Sequence, residues 1–98
     1  MKIFDKAQWH IDGGENPSSV TNKFLVIFDL LNEEGLLSDD GMEILELGID
    51  SSVSLNEKMV TGIGFEFLEK YYDEVINYGC DEIAYELRKR HHLFVESK

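Results

Sequence analysis

Of 98 residues only Cys80 is a cysteine. A lone thiol closes no internal disulfide, so burial must hold the fold together. No run of about 20 apolar residues is present to span a membrane, and the opening MKIFDKAQWH lacks an apolar stretch of signal-peptide length, so cytoplasmic residence is expected. Basic residues are scarce as well, with 9 Lys+Arg against 20 Asp+Glu and a formal net charge of −11. Such a field repels phosphate backbones and anionic membrane surfaces, so neither nucleic acid nor membrane is the expected partner. Glycine-rich phosphate loops are missing too, since Gly62-Ile63-Gly64 is too short and no lysine follows it.

Hydrophobic residues make up 43% of the chain and aromatics 11%, enough for one modest core and too many for a disordered segment. Residues 1–98 therefore read as a single acidic globular domain. The charge is uneven: residues 1–87 carry 5 basic and 19 acidic side chains, or −14, whereas 88–98 carry 4 and 1, or +3. A strongly acidic body attracts basic proteins with fast, salt-sensitive association. A basic tail could also dock on the acidic body of a second copy, giving a homodimer.

The segment that organises the rest is Val20 to Glu34. Val20, Phe24, Ile27, Phe28 and Leu31 fall on helical spacing, and Leu25, Val26 and Leu30 widen the stripe, so the spacing predicts a central helix wrapped by other elements. Pro17-Ser18-Ser19 offers a capping hydroxyl before it, and Gly35 stands where a left-handed residue would close it. Asp12 to Ser19 is the most loop-like stretch, and 1–11 reads as an extended arm or a short first helix.

A local pattern occurs twice. Leu37-Ser38-Asp39-Asp40-Gly41-Met42-Glu43-Ile44-Leu45-Glu46 is matched 23 residues later by Val60-Thr61-Gly62-Ile63-Gly64-Phe65-Glu66-Phe67-Leu68-Glu69. Both read as a helix start: a hydroxyl caps, a glycine in the first turn admits another backbone, and an apolar pair faces the core. Helices are expected from Ser38 to Leu47 and from Phe65 to Tyr78, with a β-hairpin in 49–60, where Val53 and Leu55 alternate with serines. Asp81 could cap a further helix bearing Ile83, Leu87 and Phe94, unless 65–93 is one helix kinked at Gly79. The expected class is α+β and mostly helical: three to four helices around the central apolar one, with one small hairpin.

The opening Phe4-Asp5-Lys6-Ala7-Gln8-Trp9-His10-Ile11-Asp12-Gly13 resembles the signature of a family of small uncharacterised bacterial proteins, aromatic-Asp-x-Ala-x-Trp-His then glycine, and Thr21 to Leu37 is similar to the family's helix passage. The resemblance implies an immunity-protein-like role, the neutralising of a secreted toxin. Thr61 to Phe67 is similar to a winged-helix start, which implies the alternative of a nucleic-acid-binding regulator.

No catalytic, cofactor or metal set assembles from the residues. Adjacent His91 and His92 on a helix point about 100° apart and do not converge on one ion. Asp81 and Glu82 beside Cys80 oppose a thiolate. Asp39, Asp40, Glu43 and Glu46 have no partner for acid–base work and match no calcium loop. The expectation is a non-catalytic interaction module, an enzyme being disfavoured. Its partner-binding residues would be Trp9 and His10, an aromatic anchor beside a titratable ring, together with the acids Glu33, Glu34, Asp39, Asp40, Glu43 and Glu46.

Overall fold

The computed structural model describes residues 1–97. Along the chain lie β1 (Ile3–Lys6), α1 (Ala7–Asp12), α2 (Pro17–Glu33), α3 (Asp39–Leu47), β2 (Ser54–Asn56), a 3₁₀ turn (Glu57–Met59), α4 (Gly62–Val75) and α5 (Cys80–Glu96). This is the mostly helical α+β architecture expected, with the short α1 added. Among the described residues no helix is long and apolar enough to cross a membrane.

Helix α2 is the central element. Val20, Phe24, Ile27, Phe28, Leu30 and Leu31 are buried on it, and it touches α1, α3 and, most extensively, α5. Each such side chain contributes about 1.5–3 kcal/mol by leaving water. Leu25 is partly exposed, so the stripe is wide without encircling the helix. The cap is Asn16 rather than a serine: its Oδ1 accepts from the Ser18 and Ser19 N–H groups at 2.9 and 3.2 Å. Pro17 then occupies the first helical position, where a missing N–H costs nothing. At the other end Gly35 has φ +71°, as the sequence predicts; its N–H donates to Asn32 C=O and that of Leu36 to Leu31 C=O, a Schellman closure.

The duplicated pattern forms a pseudo-symmetric pair of helix starts. Ser38 Oγ accepts from Gly41 N–H at 3.1 Å, and Thr61 Oγ1 accepts from Gly64 N–H at 3.0 Å. Between the copies, Leu37 and Val60 form an antiparallel bridge. Ser38 N–H donates to Met59 C=O, and Thr61 N–H donates to Leu36 C=O. Each glycine lies against the carbonyl of the other copy's approach that its own helix's cap residue bonds, Gly41 over Met59 and Gly64 over Leu36.

Residues 49–60 do not close a hairpin on themselves. The alternation of Val53 and Leu55 does mark a strand, but β2 pairs antiparallel with β1, in the register Ile3↔Asn56, Asp5↔Leu55 and Lys6↔Ser54. Asn56 Oδ1 accepts from Lys58 N–H, turning the chain into the 3₁₀ turn where a returning strand was expected. The opening segment is thus both extended arm and short helix. An irregularity between Ile3 and Asp5 lets the successive residues Phe4 and Asp5 both be buried, against the two-sided rule of a regular strand. Residues 65–93 form two helices; α5 starts from Gly79 as N-cap, with Asp81 and Glu82 inside its first turn, so Asp81 is not the cap.

Candidate functional site

The sequence-predicted residues fall in three places. On α1, Trp9 is 51% exposed, with Lys6 Nζ 6.0 Å from its ring centroid. His10 next to it turns its side chain inward, leaving 9% of it exposed. Its Nε2 is 2.9 Å from both oxygens of Asp5, and its Nδ1 is 2.8 Å from Glu15 Oε2. A helix presents neighbours about 100° apart, so an exposed Trp9 forces His10 round toward the core.

Asp5 is the hub of this network. It is fully buried, and it also accepts from Tyr72 Oη–H at 2.7 Å and from Lys6 N–H at 2.9 Å. One carboxylate therefore ties β1 to α1 and α4. Lys23, buried on α2, donates to Ile76 C=O at the end of α4, where a cation meets the negative end of the helix. Burial pulls the Lys23 pKa down, and the charges of Asp5 and Glu15 partly restore it. The sequence offered one signal for these residues: a carboxylate and a lysine each set in an apolar run, Ile3-Phe4-Asp5 and Lys23-Phe24-Leu25. Helical spacing with Leu68 and Val75 places Tyr72 on the apolar face of its helix, but nothing marked its hydroxyl as a donor to Asp5.

Burial first, then the Asp5 charge and the hydrogen bond to it, holds the Tyr72 phenol well above its ordinary value of 10.0. With the folded-state value raised, the contribution is whole below the unfolded phenol range and is lost as pH climbs toward the folded-state value. The protein should therefore loosen at alkaline pH, with delayed tyrosinate absorbance appearing together with loss of helical circular dichroism. Tyr72→Phe is expected to flatten that alkaline limb and to cost about 1–2 kcal/mol at neutral pH in urea melts. An unchanged alkaline limb would contradict the assignment.

Glu33 and Glu34 form the second place, at the seam of α2 and α5. Arg88 pairs with Glu33, and His91 Nδ1 lies 3.3 Å from Glu34 while its ring stands edge-on to Phe67. Arg90 reaches Glu86 and Glu74 at 2.6 and 3.1 Å, and Lys89 is 3.3 Å from Glu86. Hydrogen bonding from Arg90, ahead of the Lys89 contribution, holds the Glu86 carboxyl below the usual range. The basic tail thus neutralises acids of its own chain; Lys98, counted with it, lies outside the described residues.

The third place is α3. Asp39, Asp40, Glu43 and Glu46 are all exposed on it, and among the described residues no cation pairs with them. Asp39 and Asp40 sit in the first turn, where the helix dipole favours them. Glu43 is the middle residue of the nine, Glu46 lies in the last turn, and no basic residue occupies that turn. There the dipole opposes Glu46, and Asp39–Glu43 and Glu43–Glu46 are repulsive pairs at helical spacing. Beside α3 runs a groove of about 380 Å³. Ile44, Leu47, Val53 and Met59 give it apolar walls, and Asp50 stands on its rim. Hydrogen bonds from the Ser52 hydroxyl and then its N–H hold the Asp50 carboxyl below its ordinary range.

Among the described residues no group of three or more His, Cys, Asp or Glu side chains is placed to hold a metal ion. No protein-family model matches the chain, and no curated protein or solved structure resembles it significantly.

Proposed function

We propose that the chain is a non-catalytic interaction module that presents the outer face of α3 to a basic protein, an immunity protein covering a basic toxin being the sharpest form of this reading. The observation that carries it is the contrast between acids. Glu33, Glu74 and Glu86 are matched by cations of α5, whereas Glu43 and Glu46 pair with no cation among the described residues, and Glu46 lies in the last turn of α3, where charge of that sign weakens the helix. Acids that repel one another along the helix, with no cation beside them among the described residues, are explained by a cation arriving from outside.

The test uses two variants of equal net charge. Glu43→Lys/Glu46→Lys should release a basic protein that the immobilised wild type retains from source-cell extract at low salt, with affinity at least about tenfold weaker. Asp73→Lys/Asp81→Lys, on other exposed surfaces, should retain it. Because the first variant relieves repulsion and suits the dipole, it should melt no lower than wild type, so lost binding is not lost folding. Equal loss in both variants, or retention in both, would refute the assignment to α3.

A further inference from the structure

The groove beside α3 is bordered by a strand with one edge vacant. In β2 the residues that bond to the opening segment are the odd ones: Val53 C=O accepts from Ala7 N–H, and Glu57 N–H donates to Lys2 C=O. Main-chain groups alternate in direction along a strand, so those of Ser54 and Asn56 point away from β1. The sheet has only two strands, and among the described residues no third strand covers that edge. Ser54 and Asn56 line the groove, opposite Ile44 and Leu47 of α3.

We propose that this groove receives an extended segment of the basic partner, which adds to β2 as a third strand, sets an apolar side chain between Ile44, Val53 and Met59, and places a lysine or arginine against Glu43 and Asp50. The proposal rests on the acidic-face reading of α3 and specifies how the partner is held. Three features select this occupant. Unpaired strand edges are satisfied by an extended backbone, which gives affinity through main-chain hydrogen bonds and selects alternate side chains. Glu43 lies one helical turn before Leu47 on the same side of α3, which puts negative charge beside the apolar wall. The C-terminal carbonyls of α3 also end at Leu47 and Gly48, both lining the groove, and they favour a cation there.

The experiment titrates the isotope-labelled full chain with octapeptides that alternate Lys or Arg with Val, Ile or Leu, and with the same peptides N-methylated at alternate backbone positions. The expected result is amide shifts at Ser54 and Asn56 with methyl shifts at Ile44 and Val53, weakened at least about tenfold by N-methylation in the register that faces β2. Leu47→Lys, at an exposed position, should abolish the methyl shifts without unfolding the chain. If shifts stay on the α3 carboxylates and N-methylation has no effect, the strand-addition reading falls while the acidic docking face stands. Silence from every peptide overturns the groove proposal, the face itself being judged by its own retention experiment.

Discussion

Gly41→Ala is expected to remove about 3–5 kcal/mol of stability, a large share of the roughly 5–15 kcal/mol that a domain of this kind has in total. An added Cβ would lie 2.1 Å from the Met59 carbonyl oxygen and 2.8 Å from Leu37 Cδ2. The side chain can yield; the carbonyl cannot, because it accepts from Ser38 N–H at 3.0 Å in the reciprocal link between the two helix starts. Relief means moving the start of α3 away from the 3₁₀ turn and breaking that link. Gly64→Ala meets the Leu36 carbonyl oxygen at 2.6 Å and the Val60 Cβ at 3.0 Å, so it should be harmful but milder. Gly62→Ala is the control, since its Cβ would enter open space and alanine favours a helix over glycine by about 1 kcal/mol. Urea midpoints should rank Gly62→Ala at or above wild type, then Gly64→Ala, then Gly41→Ala. Should Gly41→Ala melt with Gly62→Ala, the close approach of the two helix starts is wrong.

These glycines also show what the sequence could reveal. Its repeated hydroxyl-x-x-Gly pattern disclosed two capped helix starts and a close backbone approach, because capping chemistry is local. That the approach is of each copy to the other was not legible, since no residue type encodes a partner 23 positions away. The strand at Val53 and Leu55 was readable from alternation, whereas its pairing with Ile3–Lys6 depends on a turn that Asn56 redirects. The α3 acids could be read as a face because a helix fixes their spacing. Glu33 and Glu34 read the same way, yet tertiary contact with α5 gives Glu33 the Arg88 guanidinium and Glu34 the His91 ring. His10 looked like a surface group because its neighbour is one. Only the buried Asp5 decides otherwise, and a single aspartate in an apolar strand does not announce what it binds.

Asp5→Ala should rival Gly41→Ala, with a loss of about 3–5 kcal/mol, the cost of breaking a buried charged network by removing one member. The Tyr72 hydroxyl and the Lys6 N–H would lose their acceptor, and His10 Nε2 would face a void. Asp5→Asn separates shape from charge. Its one oxygen can keep the Lys6 N–H bond made to Oδ1, while its amide nitrogen takes the place of Oδ2 and can donate to His10 Nε2 if the ring turns to the tautomer with its proton on Nδ1, where Glu15 accepts it; the Tyr72 hydroxyl then loses its acceptor. The charge and one acceptor are then missing while the shape is kept, and a loss of about 1–3 kcal/mol is expected. In a double-mutant cycle, Asp5→Asn with Tyr72→Phe should show a coupling of about 0.5–3 kcal/mol, whereas Asp5→Asn with an exposed α3 change such as Glu46→Gln should add within about 0.5 kcal/mol. Asp5→Ala and Asp5→Asn melting together would mean that the carboxylate acts by charge alone and that its bonds to three elements do not hold them in place. Binding of the basic partner should survive Asp5→Asn, because the network lies inside the scaffold and the docking acids lie on α3.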